Sequence, residues 1–175
     1  MIKYFDILSY QKLKKLENTT GLSDQNEKKL SNFIINVSDQ IHYSSKTDYN
    51  LLLNKYLKKE ILPYEFRFKF LKLRNQNSEK TALFFKNFQA LENLVLSKQS
   101  EKFGLLVSKI SDLCIGFDIS WNDCESDLMS ETEFYFLVKS YSSELLQEQQ
   151  HLVYESFKFL LFVVVLALLL LFSSK

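Results

Sequence analysis

Apolar residues recur at three-and-four spacing along most of the chain, which is the period of amphipathic helices. Leu30, Phe33, Ile34, Val37 and Ile41 form one stripe, and Ser23 stands where an N-cap belongs. A second stripe takes in Phe84, Phe88, Leu91 and Val95, with Ser78 as its expected cap. A third runs Phe103, Leu106, Val107, Ile110, Leu113 and Phe117. Ser130-x-x-Glu133 reads as a capping box before Phe134, Leu137, Tyr141 and Leu145. Glu65 to Arg74 alternates apolar and charged positions, the period of a half-buried strand. No second alternating run exists to pair with it, and a lone strand leaves its backbone unsatisfied. Leu62, Phe66, Phe70 and Leu73 also share a helical face behind Pro63, so helix is the expectation there. Linkers are expected at Asn18 to Leu22, Ser44 to Asp48 and Asp118 to Ser130.

The pattern changes at the C-terminal end. Phe159 to Phe172 is an unbroken apolar run of 14 residues, with Phe162, Leu166 and Leu170 along it. As a helix it spans roughly 21 Å, short of a hydrocarbon core of about 30 Å. Extended back to Leu152 it reaches roughly 31 Å and takes in Glu155 and Lys158. Those two lie three apart on one face, where they can pair while the lysine stem snorkels to the interface. At roughly −0.3 to −0.6 kcal/mol per apolar residue the run contributes on the order of −4 to −8 kcal/mol to insertion. Lys158 opposes this by about 3 kcal/mol at mid-membrane and by less at the edge. The expectation is a single-pass membrane anchor over 151–175, with the bilayer contacted through 152–172, behind a soluble helical domain over 1–150. The fold class is thus all-α, a compact helical bundle with a C-terminal transmembrane helix.

Composition removes whole classes of function. Three glycines and one proline among 175 residues are too few for a turn-rich sandwich, a Rossmann dinucleotide site or a P-loop. A net charge of +1 lacks the basic field of a nucleic-acid binder, so no nucleic acid is expected. Arg67 and Arg74 are the only arginines among 22 basic residues, a bias of AT-rich coding in an organelle, a reduced bacterium or a virus. The first residues carry Asp6 and Glu17 without an apolar signal core, so no cleaved targeting segment is expected.

Candidates for chemistry are few. Asp123, Glu125 and Asp127 alternate like the start of a calcium loop, but Leu128 stands where glycine is required and Phe134 where glutamate is. Cys114 and Cys124 lie ten apart with no histidine between them, so no metal or other cofactor is expected. Neither His42 nor His151 has an evident nucleophile partner, and no catalysis is expected. The segment from Asp118 to Glu133 is different. It holds Asp118, Asp123, Glu125, Asp127, Glu131 and Glu133, with Trp121 among them and no basic residue between Lys109 and Lys139. Acids around an aromatic anchor suit docking of a basic protein partner through Asp118, Trp121, Asp123, Glu125 and Asp127.

The stretch LLLNKYLKKEILPYEFRFKFLKLR resembles the opening of colicin D-type bacterial immunity domains. FGLLVSKISDLCIGFD, an acidic loop and ETEFYFLVKSYSSELLQ follow in similar order, so the resemblance covers Leu51 to Gln147. It implies a small helical protein whose acidic face, here Asp118, Asp123, Glu125 and Asp127, blocks the basic active-site region of a toxin. The N-terminal region of about fifty residues and the apolar tail depart from that family. Size and anchor are also similar to Bcl-type apoptosis regulators, but Trp121-Asn122 lacks the following Gly-Arg of their motif. The expected function is a membrane-anchored, non-catalytic protein-binding module. The competing expectations are an accessory subunit of an organellar or bacterial membrane complex and a tail-anchored Bcl-type regulator.

Overall fold

A computed structural model describes residues 3–4, 7–87, 95–122, 129–143 and 158. Helices α1 (Ile7–Thr19), α2 (Asp24–Ser44), α3 (Lys46–Leu57), α4 (Pro63–Asn87) and α5 (Lys98–Asn122) are followed by α6 over 131–143. Two short strands, β1 (Lys3–Tyr4) and β2 (Val95–Leu96), pair antiparallel with Lys3 opposite Leu96 and Tyr4 opposite Val95. The architecture is an all-helical bundle. Among the described residues no helix is long and apolar enough to cross a membrane, and the apolar run 159–172 lies outside them.

Local sequence explains most of the helix ends. Ser23 caps α2 with its carbonyl, which accepts from the amides of Asn26 and Glu27, while its side chain makes no cap bond. Asp24 and Glu27 add negative charge to that first turn, where the helix dipole favours it. Pro63 opens α4 at the one position where a missing N–H is harmless, and Phe66 donates to the carbonyl of Leu62. Ser130 Oγ accepts from the Glu133 amide at 3.1 Å, as the capping box requires. α3 ends in a full Schellman motif. The Glu60 amide donates to the Lys55 carbonyl, that of Lys59 donates to Tyr56, and Lys59 takes φ +60°, a conformation usually given to glycine.

Four expectations are corrected. Ser78 does not start a helix: α4 runs unbroken from Pro63 to Asn87, and Ser78 bonds back to the Arg74 carbonyl at 3.1 Å. The polar stretch Asn75 to Ser78 fails to break it because Asn77 is buried and bonded in the core. Of the stripe through Phe84, Val95 sits in β2, while Phe88 and Leu91 lie outside the described residues. The linker at Ser44 to Asp48 shrinks to Ser45, which ends α2 and begins α3. The linker at Asp118 begins later, since α5 continues to Asn122.

The main core is aromatic. Tyr56 stacks on Phe66 at 4.3 Å between centroids, Tyr49 meets Phe70 at 5.2 Å and Phe103 at 5.7 Å, and Phe117 stacks on Phe134 at 4.5 Å. Val107, Ile110 and Cys114 from α5 and Val138 from α6 close it. Of the face expected on α4, Phe66 and Phe70 are buried and Leu62 points to solvent. A separate, smaller cluster of Tyr10, Leu13 and Leu30 attaches α1 to α2.

Candidate functional site

The sequence places its binding residues around the α5–α6 corner. Asp118 and Trp121 lie on the last turns of α5, and Asp123, Glu125 and Asp127 fall in 123–128, outside the described residues. What is described is the frame on either side. Phe117 of α5 and Phe134 of α6 stack with an interplanar angle of 17°. The Tyr135 hydroxyl donates to the Leu57 carbonyl at 3.0 Å, which fixes the start of α6 against the end of α3. Lys158 is helical and exposed, while Phe159, Phe162, Leu166, Leu170 and Phe172 lie outside the described residues.

A chain of buried polar groups that periodicity did not reveal crosses the centre of the bundle. Asn77 Nδ2 donates to the Tyr49 hydroxyl at 3.4 Å, and Tyr49 lies 2.9 Å from His42 Nδ1. Ser45 Oγ and Lys80 Nζ both donate to Asn77 Oδ1 at 3.1 Å. The Tyr49 hydroxyl thus bridges the Asn77 amide and the His42 imidazole. Burial, with the nearby Arg74 charge, lowers the His42 pKa to about 4, so the ring is neutral at pH 7. Burial likewise pushes the Tyr49 hydroxyl up to about 12. This chain joins α2, α3 and α4 and leaves Nδ1 committed to structure.

Outside it, α2, α4 and α5 bound a groove of about 760 Å³. Asp39 and Glu101 line it, with Ile34, Ile35 and Leu105 at an apolar margin and Arg74 and Lys98 also present. Gly104 makes the approach of α2 to α5 feasible, since a Cβ there would lie 1.8 Å from the Asp39 carboxylate. Partial burial and the neighbouring Glu101 charge raise the Asp39 pKa to about 6. The signals for this groove were one glycine inside a helical pattern and one acid between Val37 and Ile41 on α2.

Cys114 is a free, buried thiol whose pKa burial pushes up to about 12, which makes it a poor nucleophile. Cys124 lies outside the described residues. No group of three or more His, Cys, Asp or Glu side chains able to hold a metal occurs among the described residues. Comparison with protein-family models, with curated proteins and with solved structures finds no match.

Proposed function

We propose that the chain is a non-catalytic helical protein-binding module, held at a membrane through 152–172, which receives a basic protein partner on the acidic segment 118–127. The observation that supports this reading most is the Phe117–Phe134 stack at 4.5 Å. It joins α5 and α6 on either side of a stretch rich in carboxylates and containing the single tryptophan. Such a segment opposes a basic surface in the manner of an immunity domain, with Trp121 as anchor and the carboxylates setting encounter rate. The apolar run supplies the attachment by the transfer arithmetic above.

The test is quantitative capture from native membranes with the full chain and with the variant Asp123→Asn, Glu125→Gln, Asp127→Gln. A basic protein recovered in stoichiometric amount by the first and lost from the second at low salt is the expected result. Equal recovery by both contradicts the assignment of the segment. A second reading is favoured by the α2–α5 groove, whose apolar margin and paired carboxylates suit an amphipathic helix carrying a basic residue. Loss of capture on Asp39→Asn and Leu105→Ser, with the acidic segment intact, would select that reading.

A further inference from the structure

We infer that the outward face of the α3–α4 hairpin docks on an anionic lipid surface. Four large apolar side chains stand in solvent there: Leu51 is 57% exposed, Leu62 72%, Tyr64 65% and Phe68 56%. Helical phase puts them there by design of the sequence. On α3, Leu51, Lys55 and Lys58 recur at four and three residues, on the side away from the buried Tyr49, Leu53 and Tyr56. On α4, Tyr64, Phe68 and Lys72 recur every four residues, away from the buried Phe66 and Phe70. Each helix thus presents a stripe in which apolar and cationic groups are mixed, and the Schellman turn at Lys59 joins the two stripes.

Charge identifies the occupant. Between residues 51 and 72 there are six basic side chains and two acidic ones, in a chain whose net charge is +1, and all the basic ones but Arg67, which donates to the Cys114 carbonyl at 2.9 Å, are lysines at exposed positions. One of the two acids, Glu65, is held by Lys69 at 2.6 Å. Glu131 stands near Tyr56 at the turn end and Lys69 is taken up by Glu65, so the positive face consists of Lys55, Lys58 and Lys72, the cations of the two stripes. Lysines around exposed leucine, tyrosine and phenylalanine match an interface of anionic headgroups above acyl chains: stems and rings enter the boundary while ammonium groups meet the phosphates. A nucleic-acid surface would use the aromatic rings but has no place for Leu51 and Leu62. The inference rests on the membrane attachment proposed above. That attachment leaves the eight residues 144–151, up to about 28 Å when extended, between α6 and the span.

The experiment uses the full chain carrying Tyr64→Trp as a fluorescent reporter, with Trp121→Phe removing the native signal. It is mixed with vesicles of phosphatidylcholine alone or of phosphatidylcholine with phosphatidylserine. In the mixed vesicles the reporter emission shifts to the blue and is quenched by brominated acyl chains, and salt at 1 M reverses both. Lys55→Gln, Lys58→Gln and Lys72→Gln together abolish the shift while circular dichroism stays helical. Identical emission in the two kinds of vesicle overturns the inference, as does a shift that the lysine variant retains. Flotation at 1 M salt reads the apolar run separately. A chain that floats at high salt but shows no reporter shift at low salt refutes the docking face and keeps the anchor; one that shifts at low salt and does not float at high salt does the reverse.

Discussion

The two ends of the bundle are held in different ways. Around α3 to α6 the rings of Tyr49, Tyr56, Phe66, Phe70, Phe103, Phe117 and Phe134 contact one another in a continuous buried cluster. At the other end α1 rests on α2 through Tyr10, Leu13 and Leu30, helped by Phe33 and Phe85, with Tyr10 4.7 Å from Phe85. Long aromatic side chains bury large areas and depend on neighbours on several helices, so the first region unfolds only with the whole domain. The second region can open by itself, because few buried groups are lost when α1 lifts away.

The largest effect should come from the aromatic region. Phe66→Ala removes the ring stacked on Tyr56 and should lower unfolding free energy by about 3–5 kcal/mol, read as a drop in the urea midpoint. Leu13→Ala, in the smaller cluster, should cost about 2 kcal/mol and show itself as faster amide exchange confined to α1. Equal global losses from the two substitutions would remove the distinction between the regions.

Acid sharpens the comparison, since His42 packs against Tyr49 of the aromatic region. Its folded pKa of about 4 is below the ordinary 6.5, so the unfolded chain takes up a proton first as pH falls. Stability from this group is full above pH 6.5 and declines down to about pH 4, by on the order of 2–3 kcal/mol. Asp39 has the opposite sign. Its folded pKa of about 6 exceeds the ordinary 3.8, so it favours the folded state below pH 3.8 and loses that contribution as pH rises through 6. Asp39→Asn should therefore stabilise at pH 7 by about 1 kcal/mol, a figure reduced for its partial exposure, and by nothing at pH 3. In that variant the acid loss from His42 appears undiluted, which thermal melts from pH 7 to pH 4 would record; a melting temperature flat across that range contradicts the buried neutral imidazole. The smallest effect is expected at the α3 turn, where Lys59→Gly relieves a left-handed φ and should add about 1 kcal/mol.

How much of this the sequence disclosed follows from what periodicity reports. The stripes through Leu30, Val37 and Ile41 and through Phe103 to Phe117 became buried faces, because helix phase and burial share one period. The 65–74 stretch proved helical although it alternates, since Phe66 and Phe70 face the core while Phe68 faces solvent. Boundaries were harder: Ser78 has the chemistry of a cap, and only the burial of Asn77 beside it reveals a helix interior. The His42–Tyr49–Asn77 chain and the Asp39–Glu101 groove join residues distant in sequence, so no local pattern announces them. The acidic segment was legible as composition, and the Phe117–Phe134 stack between α5 and α6 was not.

The central claim is a folded helical domain held at a bilayer by the run beyond it. Vesicle flotation at 1 M salt tests it most directly, because salt removes attraction between exposed charges and leaves apolar insertion. The full chain should float, while a chain ending at Gln150 should stay in the dense fraction and still melt cooperatively. A full chain that sinks, or a shortened one that aggregates, would contradict the account.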